Sequence, residues 1–164
     1  MKKIGFFKRI LVICYDGLLL VAVTFFTLAI VMGLFISLAP DSFFVAPDAF
    51  ENAKVVELTD LGRFIGSIIF IIHCLAVSFF FYGWFWTHGG QTLGMRAWHL
   101  YLVKPDGKFI DWKIAAKRYV LAIFSWAIFG LGFTWILLNK NKLTWHDLLT
   151  QTQIVYSPPK KNKK

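Results

Sequence analysis

Between Gly17 and Pro40 the chain runs for 24 positions without one charged residue. A helix needs about 20 apolar residues to cross the hydrocarbon of a bilayer, so this stretch qualifies as a spanning segment. Apolar character reaches back to Ile10 with Asp16 as its one interruption, which sets the first span at residues 10–38. A cleaved signal peptide also begins with basic residues such as Lys2, Lys3, Lys8 and Arg9, but its apolar part is only about 7 to 15 residues long. A second uncharged run extends from Phe64 to Thr87 and sets the second span at residues 64–87, with His73 as its readily titratable group. Tyr82, Trp84, Phe85 and Trp86 close this run as an aromatic belt at the lipid headgroups. Composition agrees, because 57% of the residues are hydrophobic and 16% charged, against about 25% charged in a soluble domain.

Charge sets the expected orientation. The tail of residues 1–9 carries four basic residues and no acid, and Lys and Arg near spans stay on the cytoplasmic side. The connection of residues 39–63 holds Asp41, Asp48, Glu51, Glu57 and Asp60 against Lys54 and Arg63, with Pro40 and Pro47; it should face outward as a solvated loop. Residues 88–118 return to basic character through Arg96, Lys104, Lys108, Lys113 and Lys117 and belong inside. The length suits one domain, spanning residues 1–164.

The third apolar segment, residues 119–139, has 21 uncharged residues and basic residues at both ends. A full crossing would carry the lysines of residues 140–164 outward, against the charge rule. Gly130-Leu131-Gly132 lies near its middle, and glycine permits the backbone of a tight reversal. A re-entrant helical hairpin that returns to the cytoplasmic side is therefore favoured over a third span, although the same glycines would also let helices pack closely. The fold class expected is an all-α membrane protein with two transmembrane helices, this third segment, and a short cytoplasmic β-hairpin-like element. That element rests on Arg96 to Val103, which alternates like a strand and ends in the turn signal Lys104-Pro105-Asp106-Gly107, and on Gln151 to Tyr156 as its pairing partner. Asp111 is placed to cap a helix that runs through Lys113 and Lys117.

The formal charge is +9, and its basic residues flank apolar runs, which points to a lipid bilayer with anionic headgroups and not to nucleic acid. Lys160, Lys161, Lys163 and Lys164 suit the same lipid surface. Cys14 and Cys74 both lie in apolar segments and read as packing residues. His88, His99 and His146 are scattered without metal-ligand spacing. No set of residues suggests a hydrolase, so neither an enzyme nor a cofactor is expected.

Asp16 is the most informative residue, since an acid at the centre of a spanning helix costs about 2.5 to 3.5 kcal/mol. Arg9 lies seven positions earlier, two helical turns and about 10.5 Å away along the axis, which is too far for a comfortable direct pair. Arg9 therefore either meets Asp16 through water or pairs elsewhere, with Asp147 as the obvious partner.

These residues carry a resemblance. The chain is similar to the RDD family of small bacterial membrane proteins, named for an arginine at the start of the first helix, an aspartate further into it and a second aspartate towards the C-terminus. Arg9, Tyr15-Asp16 and His146-Asp147 match those positions. Gly90-Gln91-Thr92-Leu93-Gly94-Met95-Arg96 resembles the family's Gly-x-Thr-x-Gly-(Lys/Arg) element, and Arg118 resembles a basic residue that leads into its third segment. The resemblance implies a multi-pass protein of the bacterial cytoplasmic (inner) membrane. It also implies movement of ions or small ligands, with cation/proton exchange as one form, through the cluster Arg9, Asp16 and Asp147.

A membrane carboxylate that exchanges a proton for a monovalent cation supplies the chemistry, with Asp16 in that role. It requires Arg9 to be engaged with Asp147. Against this stands a purely structural ionic cluster that fixes helix register. His73 either relays protons or hydrogen-bonds a neighbouring helix. Gln91 and Thr92 either line a polar pocket or form a turn, with Arg96, Arg118 and His146 as further candidates. Two spans and a hairpin are few to enclose a pathway, so a homo-oligomer is expected. The alternative function is a membrane scaffold or accessory module that binds a partner protein and transports nothing.

Overall fold

The computed structural model describes residues 2–40, 43–44 and 58–157. The acids Asp41, Asp48, Glu51 and Glu57 of the expected outer loop, with Pro47, and the terminal lysines lie outside the described residues. In chain order the elements are β1 (Lys2–Lys3), α1 (Phe6–Leu38), α2 (Asp60–His88), α3 (Leu93–Ala97), β2 (Leu100–Val103), α4 (Trp112–Ala127), α5 (Leu131–Leu138), α6 (Trp145–Leu149) and β3 (Gln153–Tyr156).

Helices α1 and α2 are both long and apolar enough to cross a membrane. Each covers its expected span and continues beyond it. Helix α1 begins before the first charge-free run and so carries Lys8, Arg9 and Asp16 on regular helical backbone. The third apolar stretch forms two helices, α4 and α5, bent by 91° at the break between them. The break lies where the glycines stand. Gly130 has φ +73° and Phe129 φ +49°, two successive left-handed residues that no α-helix can absorb. Gly132 then brings α5 against α4 so closely that a Cβ there would collide with the Ser125 side chain.

Strands β2 and β3 pair antiparallel from Leu100 opposite Tyr156 to Val103 opposite Gln153. The other edge of β3 takes up β1, giving the order β1-β3-β2, so two residues of the expected N-terminal tail belong to a sheet. Arg96 and Trp98 do not extend β2, as their alternation suggested. Thr92 caps a helical turn here, its hydroxyl accepting from the Met95 N–H, and α3 replaces the first half of the predicted strand. The Lys104 to Gly107 turn forms as expected, with the Gly107 N–H donating to the Lys104 carbonyl at 2.9 Å and Gly107 at φ +83°. Asp111 caps α4 by accepting from the Ile114 N–H, and this bond holds the exposed Asp111 carboxyl below its ordinary range.

The chain divides into two compact units: Met1–Leu20 with Phe79–Lys164, and Val21–Ser78. The first contains the sheet, α3 to α6 and an apolar core built on Ile4, Val12, Met95, Leu100, Leu102, Ile110 and Ala115. In the second, the His73 ring meets the Thr27 hydroxyl at 3.1 Å, which gives His73 the interhelical hydrogen bond that was one of its two readings.

Candidate functional site

The first unit buries its charge on purpose-built local structure. Thr144-Trp145-His146-Asp147 forms a reciprocal cap at the start of α6, in which the Thr144 hydroxyl accepts from the Asp147 N–H and the Asp147 carboxylate accepts from the Thr144 N–H. Threonine followed three residues later by an acid is a legible cap signature, and it points the Asp147 side chain back at the helix start. Two guanidinium groups meet it there. Arg9 Nη1 donates to Asp147 Oδ2 at 2.6 Å, and Arg118 Nη2 lies 2.6 Å from Asp147 Oδ1. Arg9 also donates to the Lys142 carbonyl at 3.1 Å. Arg118 donates to the Thr152 hydroxyl at 2.5 Å and stands over the Trp86 ring, 5.4 Å from its centroid.

Asp147 thus joins α1, α4 and α6 at one fully buried carboxylate. Burial alone would raise its proton affinity, but Arg118 and then Arg9 outweigh that and hold the carboxyl well below the usual range. His146 responds in the opposite sense to the same surroundings. Burial first, and then the Arg118 charge, push its imidazole down to about 3, so it is neutral at ordinary pH. Its ring packs edge-on against Phe133 at 4.8 Å.

Asp16 does not join this ion network. The Thr92 hydroxyl donates to Asp16 Oδ2 at 2.5 Å, and the Gly94 N–H donates to Oδ1 at 2.8 Å. The side chain is buried, and among the described residues no cationic group pairs with it within 4.0 Å. Gly94 is required by this approach, since a Cβ there would lie 2.8 Å from the Val12 carbonyl and 3.0 Å from Asp16 Oδ1. The Gly-x-Thr-x-Gly element is therefore a cradle for Asp16. Thr92 supplies a hydroxyl, Gly94 supplies an accessible amide, and Gln91 anchors the cradle to β2 by donating to the Leu100 carbonyl at 2.8 Å.

The three signature residues accordingly form two centres, Arg9 with Asp147 and Asp16 with Thr92. A cavity of about 180 Å³ connects them, lined by Arg9, Asp16, Thr92, Arg118 and His146 and walled by aromatic side chains that include Tyr82 and Trp86. At ~30 Å³ per water it has room for about six. Arg9 Nε, Arg118 Nε and His146 Nδ1 are buried without a partner among the described residues. All three side chains line this cavity, and buried polar atoms as a rule require a hydrogen-bond partner. Arg96 stands outside this arrangement on the exposed face of α3, and His73 lies in the other unit. Trp86, read from the sequence as part of the aromatic belt, lies beside Arg118, and Thr152 hydrogen-bonds the same guanidinium. Neither position carries a local signal for an arginine partner, and only folding brings them to Arg118.

The chain is similar to the uncharacterized protein YxaI of Bacillus subtilis (strain 168), 27% identical over 156 residues that make up 94% of this chain and 98% of that protein. No solved structure matches it. The RDD family's sequence profile matches residues 4–151, a range that contains Arg9, Asp16, the Asp16 cradle and Asp147. This chain is a membrane protein of the RDD family.

Proposed function

We propose that this protein is a small multi-pass transporter of the bacterial inner membrane that exchanges a monovalent cation and a proton at Asp16. The N-terminus is cytoplasmic, and the bent pair α4 and α5 dips into the bilayer and returns to the same side. One observation carries the reading: Asp16 sits on a spanning helix, 2% exposed, beside a cavity, and its described partners are a hydroxyl and an amide. Neutral donors hold a carboxylate in its charged form less firmly than an arginine ion pair does, which leaves it the more able to exchange a proton for a cation. Asp147 is locked in that way, with Arg9 and Arg118 both spent on it.

This divides the labour between the two aspartates. Asp147 is the structural anchor that withholds positive charge from Asp16, and Asp16 is the exchanging group. The protein works as a non-enzyme and as a homo-oligomer, since two spans and a bent pair supply few walls for a pathway.

The test is cation-driven proton movement in proteoliposomes, read with an enclosed pH-sensitive dye under an imposed sodium or potassium gradient. The wild-type protein exchanges, and Asp16→Asn abolishes exchange while the purified variant stays monodisperse in detergent. Equal rates for the two proteins would refute the assignment. Absence of exchange in both would favour the partner-binding scaffold.

A further inference from the structure

A second pocket lies at the C-terminal end of α2 and shares Gln91 and Thr92 with the Asp16 cradle. It encloses about 620 Å³ and is lined by Trp84, His88, Gln91, Arg96, His99 and Tyr101 among others, with no acidic residue in its lining. The chain has four arginines. Arg9 and Arg118 pair with Asp147, and Arg63 pairs with Asp60. Arg96 alone has no ion-pair or hydrogen-bond partner for its guanidinium among the described residues. Its planar fork of donors matches phosphate oxygens two at a time.

The walls of the pocket fit the same ligand. His88 stacks on Trp84 with ring centroids 3.9 Å apart and planes 18° from parallel, and Trp84 is 57% exposed. This is an amphipathic aromatic surface at the end of a membrane-crossing helix, the depth at which lipid headgroups lie. His99, also in the lining, is held at φ +53°, a left-handed conformation uncommon for a non-glycine residue. The turn closes through the His99 N–H donating to the Arg96 carbonyl at 3.2 Å, so the strained residue and the unpaired arginine belong to one short turn.

From these observations we infer that the Arg96 pocket is a binding site for the phosphate of an anionic phospholipid headgroup. Arg96 grips the phosphate, His88 and His99 add donors, and Trp84 and Tyr101 flank the glycerol region. Basic pockets beside spanning helices serve such headgroups in general. Thr92 borders both this pocket and the inner cavity, so an occupied headgroup site would stand against the wall that holds Asp16. The inference does not depend on transport, because it rests on a different set of side chains.

Native mass spectrometry of the full chain released from detergent, with phosphatidylglycerol or phosphatidylcholine added, tests it. The wild-type protein should retain one phosphatidylglycerol in preference to phosphatidylcholine. Arg96→Gln should lower that retention about ten-fold, the worth of a charge-assisted hydrogen bond. Lys117→Gln, which removes one exposed positive charge elsewhere on the chain, should leave it unchanged, and excess inorganic phosphate should not displace the lipid. Retention undiminished in Arg96→Gln would overturn the site. An equal loss in Lys117→Gln would replace it with diffuse charge attraction, and displacement by inorganic phosphate would replace the lipid with a soluble phosphate.

Discussion

The two units of this chain are built from similar apolar helices, yet their interiors are opposites. Among the described residues, all ten buried hydrophobic side chains and all ten buried polar or charged ones belong to the first unit. In the second, Gly62 is the sole buried residue among those described. Large apolar side chains such as Phe25, Phe26, Phe64 and Ile72 are exposed there, as suits helices whose solvent is lipid. The first unit concentrates what lipid will not accept. Arg9, Arg118 and Asp147 are buried there beside helix ends and a sheet, and these three find their partners on other segments. The lesson is that the charges of a small membrane protein can collect where segments distant in sequence converge, leaving the remainder of each span as plain apolar rod.

The same kind of change should therefore have different consequences in the two units, most sharply for ion pairs. Asp147→Asn leaves Arg9 and Arg118 buried against each other, and removing one partner from a buried pair costs about 3 to 5 kcal/mol. Denaturant unfolding in detergent, followed by tryptophan fluorescence, should show that loss. Arg63→Gln breaks the exposed pair with Asp60, whose side chains are 66% and 96% exposed. Its cost should be under about 1 kcal/mol. Comparable losses for the two variants would break the comparison.

Glycines give the next contrast. In the first unit Gly132→Ala drives a methyl into Ser125, and overpacking of this kind costs about 1 to 3 kcal/mol. In the second, a Cβ at Gly66 would meet the Phe35 ring at an ordinary 3.8 Å, so Gly66→Ala should be neutral or stabilising by up to about 1 kcal/mol. Unfolding midpoints of the two variants, measured side by side, check the pair.

The pH dependence follows from His146. The folded state keeps its imidazole neutral down to about 3, whereas in the unfolded chain it takes a proton near 6.5. Protons therefore favour the unfolded state as pH falls through that window, and stability declines from pH 6.5 downward. Asp147 adds its own loss only below its ordinary value of 3.8, where the unfolded carboxyl protonates first. His146→Gln should flatten the stability profile between pH 6.5 and 4, measured as unfolding midpoint against pH, and an unchanged slope would assign the decline to other groups. The smallest effect belongs to the second unit. Thr27→Val removes the hydrogen bond to His73, worth about 0.6 kcal/mol for an average interhelical bond in a membrane, and should barely move the midpoint.

Much of this was legible in the residues themselves. Runs of uncharged residues dictate spanning helices because lipid cannot hydrogen-bond an open backbone. Gly130 and Gly132 mark the break in the third apolar stretch, and Asp111 marks the start of α4, because left-handed backbone and unpaired amides each favour particular side chains. The distance along α1 from Arg9 to Asp16 already argues against a direct pair between them. The alternation from Arg96 to Val103 misleads, because a threonine cap and a single helical turn satisfy the same few residues, and local pattern cannot choose between them.

What the sequence by itself determined is the apolar rods, their break and the short caps, all consequences of neighbouring residues acting on one another. Only the tertiary structure decided that Arg118 and Arg9 share Asp147, that Thr92 and Gly94 cradle Asp16, and that Arg96 is left without a partner. Those contacts join residues up to 138 positions apart, and charges so distant in sequence meet only when folding brings their segments together and removes them from solvent.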